Sequence, residues 1–147
     1  MTRNLNRVRC VLFWLSLCLV LYWAVDDAPP YEVMQYTATN GRPGERVTVD
    51  GHVKRDLSRP CTVSVRRYIV DSTGAEYESM RQTLDLEAAR ERERLMPGRV
   101  RFAATLPMMI HPGTARHVVA LAYTCNPLHY IFPIKMQVQY QFEVLPP

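Results

Sequence analysis

From Cys10 to Val25 the chain reads CVLFWLSLCLVLYWAV, sixteen residues without a charge, and from Tyr31 onward apolar and polar residues alternate in short segments. The first pattern predicts one long helix and the second a succession of β-strands. At about 1.5 Å per residue, sixteen to eighteen apolar residues rise roughly 24 to 27 Å, slightly less than the ~30 Å hydrocarbon core of a bilayer. A snorkelling Arg9 closes that gap. Arg3, Arg7 and Arg9 stand before the run, while Asp26 and Asp27 stand after it. This charge bias holds the N-terminus in the cytoplasm and sends the remainder across the membrane. Tyr22 and Trp23 then fall at the outer aromatic belt. The predicted organisation is a basic cytoplasmic tail over 1–9, a signal-anchor helix over 10–25, a tether over 26–30 and one exported domain over 31–147. A cleaved signal peptide is the competing reading, but the run ends in bulky and acidic residues where small ones are needed at a cleavage site. Lipidation at Cys18 would need a small residue where Leu17 stands. Both readings also export the domain.

In the exported part the strands are expected at Tyr31 to Thr39, Glu45 to Lys54, Cys61 to Val70, Ala75 to Leu84, Arg99 to Leu106, His117 to Cys125 and Ile134 to Val144. The last is the clearest, because Met136, Val138, Tyr140, Phe142 and Val144 alternate with polar residues throughout. Gly51 is expected to mark a bulge or a break of register in the second strand. The polar fourth segment suits a sheet edge. Leu86 to Met96 contains good helix formers with alternating charges and ends at Pro97-Gly98, so it reads as a short exposed helix or a charged loop. Met108, Met109 and Ile110 are expected in the core.

Several short motifs resemble those of bacterial immunoglobulin-like sandwiches. Pro43-Gly44-Glu45-Arg46-Val47-Thr48-Val49 is similar to the turn and second strand of such modules, and Leu106-Pro107 followed by Ile110-His111-Pro112-Gly113 is similar to a later connection. Tyr123-Thr124-Cys125 has the Tyr-x-Cys spacing of the sixth strand. A core Trp of the antibody type is missing. The resemblance implies an all-β, Ig-like antiparallel sandwich of about seven strands, and a compact anchor-plus-domain plan of this kind suits a bacterial or phage-encoded membrane protein. In that topology Cys61 begins the third strand and Cys125 ends the sixth, which brings the two together at one rim. Export to an oxidising compartment then favours a disulfide. Two free buried thiols remain the alternative, while Cys10 and Cys18 are expected to face lipid or pack within the anchor.

The net charge is +4, and with Arg3, Arg7 and Arg9 set apart on the cytoplasmic side the exported part is nearly balanced. That balance argues against nucleic acid as a partner. Arginines and carboxylates mix between Arg81 and Arg101, as expected of a solvated face, with contact to anionic headgroups as the functional option. No metal or cofactor motif occurs: His52, His111, His117 and His129 show no ligand spacing, and there is no nucleophile elbow or phosphate loop. The chain is therefore expected not to be an enzyme. His111 and His117 are the residues an envelope enzyme would use if they met across the intervening turn. A phage lysis or exclusion protein is a further alternative. The preferred candidate site is the loop Asn126 to Pro133, where Leu128, His129, Tyr130, Ile131 and Phe132 offer aromatic and apolar contacts to another envelope or membrane protein. Its alternative is that Ile131 and Phe132 fold back to cap the core.

Overall fold

The computed structural model describes Thr2–Pro147, with side chains from Arg7 onward. It opens with helix α1, Thr2–Val25, which continues the apolar run backwards through the basic residues; the side chain of Arg3 lies outside those described. Its stretch Arg7–Val25 has a mean hydropathy of 2.1 and is long and apolar enough to cross a membrane, and none of it is buried by the rest of the molecule. The Ser16 hydroxyl donates to the Leu12 carbonyl at 2.9 Å, so its donor is satisfied within the helix.

Seven strands follow: β1 Tyr31–Ala38, β2 Arg46–Arg55, β3 Thr62–Val70, β4 Glu76–Leu84, β5 Arg99–Thr105, β6 Gly113–Thr124 and β7 Ile134–Val144. They form two antiparallel sheets, β1-β2-β5 and β4-β3-β6-β7. β4 lies at an edge, as its polarity predicts. β6 starts four residues earlier than expected, because Gly113 to Arg116 continue the pairing with Gln141 to Val144 of β7. Helix α2, Leu86–Leu95, settles the open question about the charged segment. Asp85 caps it by accepting from the Ala88 N–H, and Gly98, at φ +61°, allows the turn into β5.

Gly51 does not carry the expected bulge. It pairs regularly with Val100, and the shift of register falls on the neighbouring strand at Met34, between Val33 and Gln35. The glycine is needed there because an added Cβ would stand 3.0 Å from the Gln35 carbonyl oxygen. A second bulge leaves Ser79 of β4 unpaired opposite the step from Arg67 to Tyr68.

The sheets enclose a core that is closed at one end and looser at the other. Val47, Ile69, Leu106, Ile110, Ala115 and Val144 are buried together at the rim far from α1. At the rim next to α1, inward-facing Val63, Val100, Met136 and Val138 are only half-buried. Ile110 is core as expected, whereas Met108 and Met109 are not, being 78% and 83% exposed. The turn Pro107 to Ile110, closed by the Ile110 N–H on the Pro107 carbonyl, sends Ile110 inward and leaves both methionines outside.

Candidate functional site

The rim beside α1 is built from the β2–β3 loop, the tether and the β6–β7 connection. Thr62 and Thr124 are partners at the ends of β3 and β6, so the next residues, Cys61 and Cys125, extend the same register and form a disulfide with their Cα atoms 4.0 Å apart. This is the pairing the Ig-like resemblance implied. It pins the two central strands of the larger sheet at the rim where the core packs less tightly.

Next to the disulfide, Pro127–Tyr130 forms a 3-10 turn. Asn126 organises it: the side-chain Oδ1 accepts from the Leu128 and His129 N–H groups at 3.0 and 3.2 Å, while its Nδ2 donates to the Trp23 carbonyl at 3.3 Å. An N-cap followed by proline is a helix-start signal that the sequence carries in Asn126-Pro127. The tether is fastened too. Arg59 pairs with Asp26 at 2.6 Å and donates to the Ala28 carbonyl at 2.6 Å, and the Asp56 N–H donates to the Pro30 carbonyl. The end of α1 and this rim therefore form one fastened surface.

Of the five predicted loop residues the structure divides the roles. Tyr130, Ile131 and Phe132 are exposed at 82%, 71% and 68%, so they do not cap the core. His129 is buried and is a structural residue, its Nδ1 accepting from the Cys125 N–H at 3.2 Å. Leu128 is half-buried. Tyr22 is exposed and Trp23 half-buried at the same end of the molecule. Arg7 and Arg9 lie at the opposite end of α1.

The two histidines of the enzymatic alternative do not meet. His111 sits at the far rim with its Nδ1 3.1 Å from Asp71 Oδ2, a carboxylate that the linear sequence does not associate with it. Burial alone would raise the Asp71 carboxyl, but hydrogen bonds from the Thr73 hydroxyl, the His111 ring and the Thr73 and Ala75 N–H groups outweigh it and hold the group well below the usual carboxylate range. Asp71 thereby ties the β3–β4 turn to the β5–β6 connection. His117 is interior, with its ring 4.9 Å from that of Phe102 and neither nitrogen partnered. Burial, helped by the positive charge of Arg67, pushes its pKa down to about 4. Among the described residues no group of His, Cys, Asp or Glu side chains has the arrangement of a metal site.

No protein-family model matches the chain, and no curated protein matches it. Among solved structures it is similar to the Pseudomonas fluorescens alkylpurine DNA glycosylase AlkC bound to DNA containing an abasic site analog, with 16% identity and a TM-score of 0.40, over 80% of this chain and 31% of that one. The chain thus spans less than a third of that protein. Because that neighbour is an enzyme, the expectation that this chain is not one is withdrawn. A likeness of that degree carries no argument about which chemistry, if any, this chain performs.

Proposed function

We propose that this chain is a single-pass membrane protein, N-terminus in the cytoplasm, that holds an Ig-like domain against the outer face of a bacterial cell membrane and binds another envelope protein through it. The strand order β1-β2-β5 facing β4-β3-β6-β7 supports the Ig-like reading, since it is reached by the same succession of hairpins and sheet crossings that the motif resemblance implies. The observation that carries the functional reading is the fastening of α1 to one rim through Asn126, Asp26 and Arg59. A domain tied down in this way cannot tumble on its tether. Tyr130, Ile131 and Phe132 follow the Asn126 that holds the Trp23 carbonyl, and in the proposed orientation they lie with Tyr22 and Trp23 toward the headgroup region, which amphipathic aromatic side chains favour. In this orientation their contact is the bilayer surface.

The opposite rim faces outward. It presents Met108 and Met109 on a short turn braced by Asp71, and exposed methionines adapt to the shape of a protein partner. Photo-crosslinking residues placed singly at Met109 and Ile131 of the full chain in its own membrane test this arrangement. Met109 is expected to yield a discrete adduct with one envelope protein, and Ile131 to yield lipid adducts. A protein adduct at Ile131 with none at Met109 would instead place the partner at the membrane-side rim.

A further inference from the structure

Between the two sheets, beneath α2, lies a cleft of about 120 Å³. Its walls are apolar where Val63, Val65, Phe102 and Leu121 face one another, and Leu86 and Ala89 of α2 cover it. The space is close to that of dry engineered cavities that admit a benzene ring. What sets it apart from a packing defect is the charge at its edge.

Val63, Val65, Arg67 and Ile69 are the inward positions of β3, so a guanidinium stands where the strand's period calls for an apolar side chain. Arg67 makes no ion pair among the described residues. Its Nε is buried without an acceptor, its Nη1 reaches only the Met80 sulfur at 3.7 Å, and its guanidinium carbon lies 4.6 Å over the Phe102 ring. Arg92 of α2 lines the same cleft, and its positive charge acts on Arg67; Arg92 too has no ion pair among the described residues. A partly buried charge with no counter-charge is costly, and an anion bound beside it would offset that cost. The Ser79 bulge lies opposite Arg67, and its hydroxyl donates to the Arg67 carbonyl at 3.2 Å. Bulges of this kind aim a neighbouring side chain.

We infer that the cleft is a binding site for a small apolar carboxylate, its body about the size of a benzene ring lying between Val65, Phe102 and Leu121 and its carboxylate on Arg67 and Arg92. A planar guanidinium suits a carboxylate, taking both oxygens at once. Helix α2 is the way in. None of its residues is fully buried, and it is held chiefly by the Arg55–Glu93 ion pair and by the Gly98 N–H donating to Glu93 at 2.7 Å. A helix so lightly docked opens at small cost.

The test is calorimetric titration of the full chain in lipid nanodiscs, with empty nanodiscs as control. Phenylacetate serves as the probe, 2-phenylethanol as its neutral counterpart, and inorganic phosphate as an anion without an apolar body. Phenylacetate is expected to saturate, with at least tenfold weaker binding for each of the other two. Arg67→Met should weaken phenylacetate tenfold or more while its melting temperature stays at or above that of the parent, since an uncompensated charge is removed. Should that variant fail to fold, Ala89→Phe, which fills the cleft from the exposed helix, is expected to abolish saturation. The inference is overturned if phenylacetate gives no saturable heat, if the neutral alcohol binds equally, or if Arg67→Met or Ala89→Phe leaves the affinity unchanged.

Discussion

Replacing Cys61 and Cys125 together by alanine is expected to lower the folding stability of the β domain by about 4 kcal/mol. The bond closes a loop with a sequence separation of 64 residues, and a loop of that length leaves the unfolded chain much less freedom when it is cross-linked. The location adds to the effect. The disulfide ties β3 to β6 at the rim where Val63 and Val138 are only half-buried, so few apolar contacts there would hold the strand ends without it. Denaturant unfolding of the parent and the double variant, both full length, measures the difference. A loss below about 1 kcal/mol would mean that the rim is held by the tether contacts of Arg59 and Asn126 rather than by the bond.

Mild acid is expected to destabilise the domain through one side chain. In the unfolded chain the His117 ring takes up a proton near its ordinary pKa of 6.5, whereas in the folded protein burial holds that event down to about 4. The unfolded state therefore binds more protons between these values. His117 stabilises the fold fully above pH 6.5, and this contribution is lost progressively as the pH falls to about 4. The gap in pKa corresponds to a loss of roughly 3 kcal/mol at the lower limit. Asp71 acts in a separate window, because its carboxyl is held below its ordinary 3.8 and its stabilisation fades only under that pH. His117→Phe keeps an aromatic ring against Phe102 and Tyr140 and removes both unpartnered nitrogens. Its unfolding midpoint is expected to be flat from pH 6.5 to about 5, above the window in which Glu93, which burial alone would raise but the Gly98 N–H and Arg55 hold below its ordinary 4.5, begins to contribute; a slope as steep as the parent's would assign the acid sensitivity elsewhere.

The parts of the fold that were legible in the sequence are those where one periodic signal acts alone. In β7 the alternation of Met136 to Val144 with polar residues states both the strand and its inner face, and the uncharged run before Asp26 states the helix. The register devices were less legible. Gly51 signals a backbone anomaly, but its partner strand carries it, because a glycine can serve to make room for a neighbour's bulge as well as to form one. Met108, Met109 and Ile110 are equally apolar, and only the turn geometry separates the buried one from the exposed two. The loop Leu128 to Phe132 was visible as a candidate surface, yet the burial of His129 depends on the Cys125 N–H reaching back to its ring. Two further signals stand in the sequence. Asn126-Pro127 is a cap signature, and Arg67 interrupts an inward series of β-branched residues, which marks either an error of register or a site.

The depth of Ile131 in a membrane tests the central proposal most directly. A nitroxide placed there, in the full chain with Cys10 and Cys18 replaced by serine and reconstituted in liposomes, reports through its relative accessibility to oxygen and to a water-soluble relaxant. The proposed orientation predicts a label at or just below the headgroups, and a second label at Met108 exposed only to water. If Ile131 is as fully water-exposed as Met108, the domain is not seated on the bilayer and the fastening of α1 to the rim does not fix its orientation.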